Sequence, residues 1–355
     1  MEIDLIKIFL PAVLAFGVGI TLTPFLSNLL YKSKAWKKKS GKTLFNGQKA
    51  EIFNSLHKER EVNTPRMGGL VIWISAAVTI IGIWIISVIF PEDLLVKLDF
   101  LSRSQTWIPL STLVLGGAVG FFDDLLEVRA GGGGLSLRYR LSVVGVLGIL
   151  AGWWFYEKLE ITTLGLPAVM GGGLEIGWLI VPLFSLVAIA IYSGGIIDGL
   201  DGLAGGVFAA IFSSYAIMAF YLGQINLAAF CTMLVGAICA FLWFNIPPAR
   251  FYMSETGTMA LTLTLTVVAF LSDSLGGGYG VSVLPIIAFP LFATSASAIL
   301  QIFSKKFFNR KIFKIAPLHH HFEAIGWPAY KVVMRFWIIS AMFAIVGTIL
   351  AVVGL

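Results

Sequence analysis

Runs of about 20 apolar residues recur along this 355-residue chain, and such a run can satisfy its backbone in lipid only as a helix. Ten are readable, near residues 5–30, 68–89, 106–122, 139–156, 178–197, 203–222, 226–244, 258–272, 280–303 and 332–354. They predict an all-α integral membrane protein with about ten transmembrane helices, residues 1–355 forming a single polytopic membrane domain. Composition agrees: 58% hydrophobic and 12% charged residues, with a mean hydropathy of +0.90. That outweighs the two or three domains this length would suggest in a soluble chain. The first run is too long for a signal peptide and lacks its small-residue cleavage pattern.

Charge sets the expected orientation. Residues 32–66 carry ten lysines and arginines against three glutamates, and the 304–331 loop is also basic. The positive-inside rule puts both in the cytoplasm and, with ten spans, both termini outside. The net charge of +6 then faces anionic lipid and anionic substrate, and carries no nucleic-acid signal. Cys231 and Cys239 lie two helical turns apart, too far to bond to each other, and read as packing residues. The external loop at 157–177 has room for a short hairpin.

Polar chemistry gathers on the cytoplasmic segments. Ala316-Pro317-Leu318-His319-His320-His321-Phe322-Glu323 holds three of the four histidines and follows Lys305, Lys306, Arg310, Lys311 and Lys314, a setting suited to an anion. The fourth, His57, lies on the same face. Asp123-Asp124 closes the third span, where adjacent carboxylates are costly unless they bind a cation or handle a proton. Asp198-Gly199-Leu200-Asp201-Gly202 offers two more carboxylates, with glycines whose N–H groups could face phosphate oxygens. Glu255 is a further acidic residue, and Phe251 and Tyr252 could stack on a base. Acidic clusters interleaved with cations at the lipid boundary suggest Mg²⁺ bridging a phosphate substrate. Charge at one face rather than at the bilayer midplane argues against a transporter.

These segments resemble the phospho-N-acetylmuramoyl-pentapeptide transferase (translocase I) family, within the polyprenyl-phosphate N-acetylhexosamine-1-phosphate transferases. The similarity rests on the triple-histidine element with Gly326-Trp327 and Val332 to Ile338, on Thr64 to Gly69, on Phe121 to Asp124, on Asp198 to Ala204 and on Phe241 to Asn245. It implies a ten-span, Mg²⁺-dependent enzyme of the bacterial inner (cytoplasmic) membrane with its active site on the cytoplasmic face. Undecaprenyl phosphate and UDP-MurNAc-pentapeptide would give lipid I and UMP. By resemblance Asp123, Asp124, Asp198 and His319 are catalytic, and Asp123, Asp124, Asp198 and Glu255 take the metal. His57, Arg60, Asp201, Asn245, Tyr252, His320 and His321 would bind substrate. Partners are then the lipid bilayer and the two substrates, with no nucleic acid; a homodimer is compatible with the sequence.

The chain also departs from the family pattern. Glu127 stands where the family has lysine, Arg66 where it has threonine, and Gly195 and Tyr192 where it has asparagines. Ser254-Glu255 replaces Gly-Asp. Arg129, Arg138 or Arg140 is the expected compensation for Glu127. The departures keep two alternatives open: a transferase for another UDP-HexNAc donor, and a catalytically silent homologue that binds polyprenyl phosphate.

Overall fold

The computed structural model describes residues 2–38, 62–91, 93–102, 105–129, 134–166, 173–274 and 278–354. The expected all-α integral membrane architecture is present. The helices are α1 (Glu2–Lys32), α2 (Leu70–Ile89), α3 (Asp93–Leu98), α4 (Trp107–Arg129), α5 (Leu137–Lys158), α6 (Ile180–Gly194), α7 (Leu203–Tyr221), α8 (Ile225–Asn245), α9 (Ser254–Ser274), α10 (Leu284–Ile287), α11 (Phe289–Phe308), α12 (Leu318–Ala324) and α13 (Ala329–Val353). Among the described residues, nine are long and apolar enough to cross a membrane: α1, α2, α4 to α9 and α13. The 157–177 loop does carry a hairpin, β1 (Thr163–Leu164) antiparallel to β2 (Leu174–Glu175).

The run at 280–303 is not one helix. It divides at Ala288 between α10 and α11, with Pro285 and Pro290 on either side. Proline removes an N–H and crowds the preceding turn, so a break there is favoured. α11 then buries a polar face, Thr294, Ser295, Ser297, Gln301 and Ser304, that a lipid-facing helix would not carry. That face anchors the next loop. Gln301 donates to the Phe313 carbonyl at 2.9 Å and accepts from the backbone N–H of Ile312 and Phe313. The Ser297 hydroxyl receives the Leu318 N–H at 2.9 Å, setting where α12 begins.

α9 is the axis of the bundle, with 94% of its apolar stretch inside the protein. Its threonines turn inward: Thr258, Thr262 and Thr266 each donate to the carbonyl four residues back, at 3.1, 2.7 and 3.0 Å. These three hydroxyls are therefore buried without being left unpaired. α4 lies along α9 in direct backbone contact. A Cβ added to Gly120 would collide with the Glu255 carbonyl, and one at Gly116 would sit 2.9 Å from the Met259 carbonyl. Small residues four apart permit this approach. It carries the next turn of α4, with Asp123 and Asp124, to the first turn of α9.

Candidate active site

Asp123 and Asp124 are fully buried, and each meets a different arginine. Thr256 donates twice to Asp124 Oδ2, through its N–H at 2.9 Å and its hydroxyl at 2.6 Å. The other oxygen accepts Arg66 Nε at 3.4 Å. Arg66 Nη2 also reaches Glu127 Oε2 at 3.1 Å, and Lys37 Nζ reaches Glu127 Oε1 at 2.9 Å. Asp123 Oδ1 accepts the Leu135 N–H at 2.5 Å. Its Oδ2 lies 3.0 Å from Arg140 Nε, an ion pair not aligned as a hydrogen bond. Arg140 continues to Glu255, its Nη1 donating to Oε1 at 2.5 Å. The Tyr192 hydroxyl donates to Glu255 Oε2 at 3.1 Å. Each aspartate is thus linked through one guanidinium to one glutamate.

The Asp198–Gly202 turn closes against the segment before α9. Asp198 Oδ2 accepts the Ser254 N–H at 2.8 Å, and Asp201 Oδ2 accepts the Ala249 N–H at 3.2 Å. Asn245 bolts the two together, its Oδ1 accepting the Gly202 N–H at 2.9 Å and its Nδ2 donating to the Phe251 carbonyl at 2.8 Å. Trp337 of α13 donates to the Gly202 carbonyl at 3.1 Å. Burial pushes the Asp198 carboxyl up to about 6, with Asp124 and Asp201 adding to the rise and the Ser254 N–H and Arg66 opposing it. Burial works against the charge of Arg66, but Asp124, Glu127, Asp198 and Glu255 hold its guanidinium above the usual range. It stays cationic.

α12 brings two of its three histidines to this turn. A Cβ at Gly199 would collide with both the His319 and the His320 imidazole, so only glycine lets the rings lie on the turn. The two rings are 4.3 Å apart, and His320 Nδ1 is 2.7 Å from Glu323 Oε2. His321 points elsewhere, with Nδ1 accepting the Lys314 N–H at 3.2 Å and the ring against Phe313.

The sequence readings meet this geometry unevenly. Asp123, Asp124, Asp198, Asp201, Glu255, His319 and His320 come together; His57 and Arg60 lie outside the described residues. Two glycine N–H groups expected to face phosphate are taken, Gly199 by the Ile197 carbonyl and Gly202 by Asn245. Phe251 is buried against Phe241 and Phe244 and cannot reach a base, whereas Tyr252 is only partly buried. The expected compensation of Glu127 by Arg129, Arg138 or Arg140 is corrected: its ion pairs are with Arg66 and Lys37. Sequence reasoning missed Lys37, Thr256, Trp337 and the role of Arg66. The one available signal was that positions 66 and 127 depart from the family pattern with opposite charge.

Three cations, Lys37, Arg66 and Arg140, face six carboxylates, those of Asp123, Asp124, Glu127, Asp198, Asp201 and Glu255. Carboxylate oxygens are the donors a hard divalent cation takes, and the surplus negative charge suits one. Among the described residues, no three His, Cys, Asp or Glu side chains form a ready cage, since the arginines stand between the acids. Donor type and charge therefore fit Mg²⁺, while the present arrangement is the arginine-bridged one.

A membrane bundle with a buried acid cluster beside paired imidazoles has the character of a membrane transferase site, and a family model described as glycosyl transferase family 4 matches residues 106–273. The phospho-N-acetylmuramoyl-pentapeptide-transferase of Geobacillus sp. (strain WCH70) is 31% identical over 343 residues, covering 95% of this chain and 96% of that protein. Those of Anoxybacillus flavithermus (strain DSM 21510 / WK1) and Clostridium perfringens (strain SM101 / Type A) are each 30% identical, covering 96% of both chains. The chain belongs to the phospho-N-acetylmuramoyl-pentapeptide-transferase family and is a multi-pass membrane transferase.

Proposed function

We propose that this protein transfers phospho-MurNAc-pentapeptide from UDP-MurNAc-pentapeptide to undecaprenyl phosphate, giving lipid I and UMP. An acceptor phosphate oxygen forms a bond to the sugar-linked phosphorus, and the bond from that phosphorus to the bridging oxygen breaks. UMP leaves with the bridging oxygen. The observation that carries the reading is the convergence of the Asp123-Asp124 pair, the Asp198–Gly202 turn, Glu255 and two imidazoles at one place.

Asp123, Asp124, Asp198 and Glu255 would hold Mg²⁺, which when bound neutralises charge on the transferring phosphates. Asp123 and Asp124, buried between donors, fix the acidic wall against which phosphates are positioned. His319 and His320, laid on Gly199, offer ring nitrogens to a phosphate oxygen, and Tyr252 offers a ring to uracil. Asp201 and Asn245 hold the turn in shape. The basic loops support a site on the cytoplasmic face of a bacterial inner membrane, and α10 with α11 as a tenth crossing would leave both termini outside. One continuous apolar core from α1 to α13 supports a single domain.

The test is UMP release by purified protein supplied with Mg²⁺, undecaprenyl phosphate and UDP-MurNAc-pentapeptide, with UDP-GlcNAc as the competing donor. Metal-dependent release that prefers the pentapeptide donor is expected. Preference for UDP-GlcNAc would move the assignment to a related HexNAc-1-phosphate transferase. No release from any donor would indicate a silent homologue.

A further inference from the structure

Both carboxylates that Arg66 meets have another donor of their own. Glu127 already has Lys37 at 2.9 Å, and Asp124 already accepts two hydrogen bonds from Thr256. Arg66 nonetheless reaches both carboxylates, with Nε on Asp124 and Nη2 on Glu127. Its backbone is fixed as well: the Arg66 N–H donates to the Ala35 carbonyl at 2.7 Å, and the flanking Pro65 carbonyl and Gly68 N–H bond to Tyr252 at 2.9 and 2.8 Å. A guanidinium has five N–H donors in a rigid fork. Two of its three nitrogens are held by carboxylates, and Nη1 donates to no acceptor among the described residues. The side chain is 19% exposed, and Nη1 is not among the buried polar atoms left without a partner.

The pair Arg66 and Lys37 against Asp124 and Glu127 is electrically balanced, unlike the rest of the cluster. It is therefore the part of the acidic wall where an anion meets least repulsion. We propose that Arg66 is a substrate-binding residue whose Nη1 edge takes a phosphate oxygen beside Asp124, and that Glu127 and Lys37 are positioning residues that aim it. The inference rests on the transferase reading above. The ligand chemistry is a phosphate oxyanion, supplied either by the nucleotide pyrophosphate or by the polyprenyl phosphate.

Steady-state UMP release in nanodiscs, with donor and acceptor varied separately, decides between these sources. Arg66→Gln is expected to raise KM about tenfold or more for one of the two, the loss of one charged hydrogen bond. The substrate whose KM moves is the one Arg66 holds. Arg66→Lys keeps the charge without the fork and should recover only part of the loss. Glu127→Gln should raise the same KM, and the Arg66→Gln/Glu127→Gln double variant should be no worse than Arg66→Gln alone. A purely structural arginine would lower thermal stability and kcat and leave both KM values in place. Both KM values within twofold of wild type in folded Arg66→Gln would overturn the proposal. Should that variant not fold, the same result in Arg66→Lys and Glu127→Gln would overturn it. Wild-type protein that releases no UMP would sink the transferase reading instead; equilibrium binding of UDP and of undecaprenyl phosphate to wild type and the Arg66 variants would then decide the arginine separately.

Discussion

Thr256 donates to Asp124 twice, from its backbone at 2.9 Å and from its hydroxyl at 2.6 Å, and both bonds end on the same carboxylate oxygen. This joins the end of α4 to the start of α9. Every hydrogen-bond partner of Asp124 among the described residues is a donor, since Arg66 Nε faces the other oxygen. A carboxylate is acceptor-only and suits that pocket.

Asp124→Asn keeps the shape but must turn an NH₂ toward one of those donors. Turnover should fall at least a hundredfold, and thermal unfolding in detergent should show a stability loss of about 1–3 kcal/mol. UMP release near the wild-type rate would remove Asp124 from the site.

Asn245→Ala cuts both bonds between the Gly202 turn and the Phe251 segment of the loop. Two buried backbone groups lose their partners, at about 1–3 kcal/mol each. The expected outcome is a lowered thermal midpoint, with Asn245→Asp intermediate because it retains only the acceptor needed by the Gly202 N–H. An unchanged midpoint in Asn245→Ala would contradict the clamp.

Glu255→Asp removes one methylene. Glu255 spans Arg140 on one oxygen and Tyr192 on the other, at 2.5 and 3.1 Å. An aspartate reaches about 1.5 Å less far along the chain and cannot hold both. The rate should drop about tenfold, at the scale where catalytic geometry is sensitive. Tyr192→Phe should cost less, since Arg140 stays. A rate equal to wild type in Glu255→Asp would show that the glutamate is not needed.

Asp198 supplies a pH signature. Its folded pKa of about 6 lies above the unfolded carboxylate value of about 3.9, so the folded state binds the proton more tightly. The contribution is fully present below the unfolded pKa and is lost as pH rises through the folded one. In metal-free buffer, the thermal midpoint of wild type relative to Asp198→Asn should fall between about pH 4 and 6.5 and then stay level. A constant difference would contradict the raised pKa.

Much of the fold was legible because lipid leaves few options: length and apolarity alone mark the helices, and the wide glycine and aspartate turns mark their connections. The break at Ala288 was less visible, since Pro285 and Pro290 sit in a run whose apolarity continues across them. At the site, carboxylates at span ends were conspicuous because ions are costly there. Their partners were not. Lys37 and Arg66 meet Glu127 from segments that no local pattern links to α4, and Trp337 reaches Gly202 across 135 positions. Asn245 was visible in the sequence as an amide; that the backbone uses both of its ends was not.

The claim beneath all of this is that the aspartates of α4 and the histidines of α12 serve one site. The most direct test is kcat/KM for UMP release in Asp124→Asn, in His319→Ala and in the double variant. Groups acting as a unit lose little more together than the worse one alone, so the double should fall within about threefold of the slower single variant. Losses that multiply would show that the two elements act independently and would contradict the single site.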